Sequence, residues 1–159
     1  MSHTKTNAMR ILDQKKIEYN IITYDSSDGK IDGISVTTKL GEDPKFVYKT
    51  LVLHGNSNNI YVFVTPVEDE IDLKKAAVVA GEKNIKMIAV KDIMKLTGYI
   101  RGGCSPIGMK KNYKTFINSS ALDIDKIIVS GGKIGTQIEL FTEDLAKITN
   151  SEFNDFIKH

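Results

Sequence analysis

Two runs rich in β-branched and aromatic residues, YKTLVLH at 48–54 and IYVFVT at 60–65, are separated only by GNSNN. Two such runs with Gly and Asn between them predict a β-hairpin, and a hairpin commits the chain to antiparallel pairing. Further β-rich stretches extend the sheet: YNIITY at 19–24, KTFIN at 114–118, KIIVS at 126–130 and QIELF at 137–141. Helical patterns lie between them. Residues 4–16 bring Ala8, Ile11, Leu12 and Lys15 to one side. VTTKL ends on Gly41 as a C-cap, and Asp43-Pro44 opens a brief helix. DLKKAAVVA at 72–80 starts on Asp72 and stops at Gly81, and VKDIMKL at 90–96 stops at Gly98. Two helices are expected to close the chain. Thr142 caps the first, and Phe153, Phe156 and Ile157 form the apolar side of the second. Strands and helices intermix without regular βαβ alternation. The expected fold class is therefore α+β: one domain over residues 1–159, with a largely antiparallel mixed sheet of about six strands and helices around it.

The length suits one core, and 41% hydrophobic with 26% charged residues is an ordinary globular balance. The longest apolar runs fall far short of the ~18–20 residues that span a bilayer, so no membrane association is expected. The amino terminus MSHTKTNAMR lacks an apolar signal-peptide core, and one cysteine cannot form an internal disulfide. A cytoplasmic location is the expectation. Net charge is +2, unevenly spread. From Lys83 to Lys114 eight basic residues face one acid, Asp92, a surplus of +7 that leaves −5 for the remainder. That segment is either a solvated lysine-rich face or a surface turned toward phosphates.

Inside the basic segment lies GYIRGGCSPIG at 98–108, with four of the twelve glycines and the sole cysteine. Glycine forfeits packing and costs conformational entropy, so a buried segment has no use for four. A loop whose peptide groups must approach a ligand does. Lys49 is the other unusual residue. Strand alternation puts it on the face of Leu51 and Leu53, so its ammonium either snorkels to water or is held in a cleft.

Conventional chemistry finds little support. His54 is the one histidine away from the termini, where His3 and His159 lie, and a lone Cys104 reads as a small apolar residue before it reads as a nucleophile. There is no HxxxH, no CxxC and no tight carboxylate–histidine cluster, so no metal site is expected. The acidic run EDE at 68–70 reads as a solvated loop. SGGKIGT at 130–136 fails as a phosphate-binding P-loop, because position 127 is Ile and Ile134 follows Lys133. It reads as a hairpin turn that can also offer amides to an anion.

Four segments taken together, VYKTL (47–51), TPVEDEIDLKK (65–75), TGYIRGGCSPIGMKK (97–111) and VSGGKIGTQIEL (129–140), resemble the YbaK family of aminoacyl-tRNA deacylases. The resemblance is greatest to the free-standing Cys-tRNA(Pro) deacylases; the Ala-tRNA(Pro) editing domains share the fold and the lysine-bearing strand. It implies a curved sheet and hydrolysis of the ester between cysteine and the 3′ end of proline tRNA. Prolyl-tRNA synthetase is then the candidate protein partner, and neither cofactor nor metal is implied. It also implies catalytic roles for Lys49 and Gly102. Tyr24, Thr50, Gly103, Ser105, Pro106, Ser130 and Gly131 would bind substrate, and Arg101, Lys110 and Lys111 the tRNA. No protein nucleophile is implied: the substrate's own thiol attacks its ester, and water opens the resulting thiolactone. The chain departs from the family pattern at Ile134, often Arg, at Thr136, often Leu, at Arg101, often apolar, and at Cys104, commonly aliphatic. An alanine-type deacylase using water, or a non-catalytic module binding tRNA or a nucleotide, are the alternatives.

Overall fold

The computed structural model describes residues 4–159; His3 lies outside them. The chain opens with α1 (Asn7–Gln14), β1 (Tyr19–Thr23) and α2 (Gly33–Leu40). The predicted hairpin follows as β2 (Tyr48–Gly55) and β3 (Ile60–Pro66), then α3 (Leu73–Ala80), β4 (Ile85–Met87) and α4 (Val90–Thr97). The last third contains β5 (Lys114–Asn118), β6 (Lys126–Lys133), β7 (Thr136–Phe141), α5 (Thr142–Thr149) and β8 (Glu152–Asn154).

The fold class is the expected α+β, but the strands are dealt between two sheets. One has the order β1-β7-β6, all antiparallel. The other has the order β4-β2-β3-β5-β8, antiparallel across the β2–β3 hairpin and parallel where β5 joins β3 and β8. An isolated parallel bridge, Val47 to Ile128, links the two where β2 begins. α1 fills the space beside both sheets, setting Ala8, Met9 and Leu12 among Tyr48, Val64, Ile127, Val129 and Ile138. On the outer face of the larger sheet, α3 packs Ala76 and Ala77 over Leu53, Phe63 and Phe116.

Two expectations at the carboxyl end are corrected. Thr142 is the first residue of α5 rather than its cap: Phe141 holds the cap position, and the Thr142 hydroxyl donates to the Ile124 carbonyl. The second closing helix does not form. Residues 152–154 instead add to the free edge of β5 as β8, and the Phe156 amide donates to Asn118 Oδ1. So short a run cannot nucleate a helix by itself. Its aromatics also serve different cores: Phe153 packs beside the α1 core, while Phe156 meets Phe63 edge-on at 4.8 Å between centroids. Among the described residues no helix is long and apolar enough to cross a membrane.

Candidate active site

The site is built where β2 leaves the bridge between the sheets. Tyr48 points into the central core and bonds Ser120 through its hydroxyl, so Lys49 takes the opposite face, with Leu51 and Leu53. There the apolar cover runs out. Lys49 is half-buried, and its Nζ donates to the Asp69 carbonyl at 3.1 Å. Burial pushes the ammonium below its ordinary pKa, while the charges of Asp69 and Glu70 oppose that shift. The acidic run 68–70 is therefore tied to Lys49, not merely solvated.

Beside this lysine lies a cavity of about 110 Å³. Lys49 and Thr50 of β2, Gly102 and Cys104 of the glycine loop, and Ser130 of β6 all line it. Its remaining walls include Ile31, Val36, Val47 and Val67. The structure thus brings Lys49, Thr50, Gly102 and Ser130 together from separate stretches of sequence. Thr50 Oγ1 is buried with no hydrogen-bond partner among the described residues. A buried hydroxyl left so is unfavourable by roughly 1–3 kcal/mol unless a ligand satisfies it.

The glycines of the loop divide their work. At Gly102 φ is +87°, and an added Cβ would sit 2.7 Å from Ile31 Cδ1; this glycine faces the cavity. At Gly103 an added Cβ would lie 2.8–2.9 Å from backbone atoms of Lys133 and Ile134, so this glycine lets the loop rest on the β6–β7 turn. Gly98 ends α4, and Gly108 lies under α1.

Other expected substrate residues are placed outside the lining. Ser105 is fully buried, and its Oγ accepts from the Ile107 amide. Pro106 borders a different depression, together with Met109 and Lys111. Gly131 packs on Thr136 and Ile138, and its carbonyl accepts from the Thr6 hydroxyl. Tyr24 stands beside the β6–β7 turn, its amide donating to the Gly135 carbonyl, and its hydroxyl is buried without a partner among the described residues. Arg101, Lys110 and Lys111 are set around the loop toward solvent, with Lys110 Nζ on the Lys95 carbonyl. Ile134, which departs from the family pattern, lies against Gly102.

Cys104 does line the cavity, yet its thiol is pushed up to about 11 by burial and donates to Thr97 Oγ1. A thiol protonated at neutral pH is a poor nucleophile. His54 stands at the far end of β2, between Ile60 and Lys86, and His159 pairs with Asp155. Among the described residues no three His, Cys, Asp or Glu side chains group closely enough to hold a metal ion.

Gln137 is a lining residue that sequence reasoning missed. In β7 the residues Ile138 and Leu140 go to the core, yet Gln137 on the alternate face is also buried, directly across from Ser130. The available signal was register: pairing the strands through their glycine turn sets Gln137 beside Ser130. Ile31 had no such signal, because it sits in a polar loop.

Comparison with known proteins matches this architecture to a family. A family model described as an aminoacyl-tRNA editing domain matches residues 34–148, a span that includes every cavity residue except Ile31 and Gly33. A protein of Enterococcus faecalis (strain ATCC 700802 / V583), provisionally named Cys-tRNA(Pro)/Cys-tRNA(Cys) deacylase EbsC, is 44% identical over 149 residues, 94% of this chain and 91% of its own. Two solved structures share the fold. The hypothetical protein APE2540 has a TM-score of 0.87 at 18% identity, covering 96% of this chain and 100% of that one. A candidate trans-editing enzyme for prolyl-tRNA synthetase has a TM-score of 0.82 at 17% identity, covering 99% and 100%. By its sequence and by the elements that enclose its cavity, the chain belongs to the family of aminoacyl-tRNA editing domains.

Proposed function

We propose that this editing domain deacylates Cys-tRNA(Pro), the product of prolyl-tRNA synthetase loading the wrong amino acid, and that it acts in trans after that enzyme. The observation that carries this reading is the small cavity whose lining offers a cation, a hydroxyl with no partner among the described residues and bare backbone, but no activated nucleophile. At about 110 Å³ it is far smaller than the ~300–1,000 Å³ pockets of larger ligands, and suits one small aminoacyl group. The name of the Enterococcus relative points the same way.

Such a site works by positioning and by electrostatics. The substrate thiol loses its proton to solvent, and the thiolate attacks the ester carbonyl carbon. A C–S bond forms, the C–O ester bond breaks, and the ribose oxygen leaves with a proton from water. Water then opens the four-membered thiolactone to free cysteine. The Thr50 hydroxyl and the backbone at Gly102 stabilise the developing oxyanion, and Lys49 holds the terminal ribose or phosphate.

The test is incubation of catalytic amounts of protein with Cys-tRNA(Pro), Ala-tRNA(Pro) and Pro-tRNA(Pro), followed by measurement of surviving ester. The cysteinyl ester should disappear fastest and the prolyl ester persist. Preferential loss of the alanyl ester would replace this reading with an alanine-type hydrolase, and survival of all three with a binding module. Cys104→Ser should keep the rate within a few-fold; its loss in a folded variant would return the chemistry to the protein's own thiol.

A further inference from the structure

Residues 25–32 form a polar loop without regular structure, yet they deliver Ile31 to the cavity wall, with its Cδ1 seated against Gly102. Contacts inside the loop are short in range. Ser27 N donates to Asp25 Oδ1, Lys30 N to Asp28 Oδ1 and Gly29 N to the Ser26 carbonyl. Such turns shape a loop locally without fixing it to the body of the fold.

Asp32 caps α2 by accepting from the Ser35 amide and hydroxyl, which anchors only the end of the loop; Lys39, in the last turn of α2, connects the rest. Its Nζ donates to the Asp25 carbonyl at 2.6 Å, to Asp28 Oδ1 at 2.7 Å and to the Lys30 carbonyl at 2.9 Å. An ammonium has three hydrogens, and all three are directed at this one loop. The Lys39 side chain is only 20% exposed, and its nitrogen also lies 5.9 Å from the centroid of the Tyr24 ring. A solvated surface lysine contributes little, but one largely covered and bound to three acceptors holds its geometry. The helix that bears Lys39 also gives Gly33 and Val36 to the cavity, so loop and wall are fixed from a single element.

We infer that Lys39 is a positioning residue for editing: it clamps the 25–32 loop so that Ile31 closes the cavity over Gly102 and limits which aminoacyl group fits. This rests on the deacylase reading above. Releasing the clamp frees the Ile31 wall, so the correct ester is held less well and bulkier esters gain entry.

Three variants test it: Lys39→Met removes the donors, Lys39→Arg keeps the charge, and Asp28→Asn weakens a single acceptor at an exposed site. Hydrogen exchange of peptides covering 24–34 should accelerate at least about tenfold in Lys39→Met, with β2, β3, β6 and β7 unchanged. For the same variant, hydrolysis of Cys-tRNA(Pro) at subsaturating substrate should fall about tenfold, with a smaller change at saturation. Its preference for the cysteinyl over the prolyl ester should narrow. Lys39→Arg should restore most of both effects, and Asp28→Asn should fall between. Unchanged exchange in Lys39→Met, or a loosened loop with an unchanged cysteinyl-to-prolyl preference, overturns the assignment. If Lys39→Met fails to fold, Asp28→Asn decides by the same two readouts. Should the wild-type protein cleave none of these esters, the functional reading fails by itself, and the exchange comparison, which needs no substrate, still decides the clamp.

Discussion

At Lys49 an ammonium is kept half-buried, with the Asp69 carbonyl as its hydrogen-bond acceptor. Burial lowers its pKa, so between that lowered value and the ordinary 10.5 the unfolded chain binds more protons than the folded one. Stability therefore rises with pH through that window, and below it the buried charge works against the fold. Lys49→Met should leave the melting temperature unchanged or raise it at neutral pH, while deacylation falls by about a hundredfold or more. Thermal unfolding measured alongside ester hydrolysis checks this; a destabilised variant with normal turnover would make Lys49 a structural residue. The lysine itself was legible, since a lone cation on an apolar strand face breaks the alternation. Its acceptor was not. Asp69 contributes a backbone carbonyl, which every residue type carries, and a turn after β3 places it there.

Among the elements, the glycine loop and the β6–β7 turn show what composition can and cannot reveal. Four glycines in eleven residues mark the loop, but their number does not say which one faces the cavity. The geometry predicts different outcomes for adjacent substitutions. Gly102→Ala strains a left-handed residue by roughly 1–2 kcal/mol and presses on the movable tip of Ile31, so activity should drop with only that modest loss of stability. Gly103→Ala drives a methyl into the backbone of Lys133 and Ile134, and should lower stability by roughly 1–3 kcal/mol or more. Chemical denaturation of both variants, beside their turnover, measures the difference; equal stability losses would contradict the assignment. The hairpin at 48–65 was readable because pattern and turn residues agree. The carboxyl end was misread because Phe153 and Phe156 fit one helix face as well as two cores, and the free edge of β5 that captures β8 leaves no mark in the local sequence.

Over the whole molecule, charge is sorted. Arg101, Lys110 and Lys111 stand about the loop, while a separate groove past Tyr48 is bordered by six acids, among them Glu68, Asp123 and Glu139, against two lysines, Lys45 and Lys126. The first surface is the one proposed to meet a phosphate backbone, because its charge is positive and that of the groove is net negative. Binding of uncharged tRNA should weaken with salt, and replacing the three basic residues by Ala should flatten the log–log slope by up to about 0.7–0.9 for each phosphate no longer neutralised. An unchanged slope would move the RNA surface elsewhere. In the proposed mechanism the protein positions an ester which the ester's own amino-acid side chain cleaves. Single-turnover hydrolysis at saturating enzyme, with cysteinyl, seryl and S-methylcysteinyl esters on one tRNA, tests it most directly, provided binding of each is measured separately. Serine nearly matches cysteine in shape, but its hydroxyl is a far weaker nucleophile near neutral pH. The predicted result is rapid loss of the cysteinyl ester and slow loss of the other two while bound; equal rates for all three would contradict it and assign the attack to a water held by the protein.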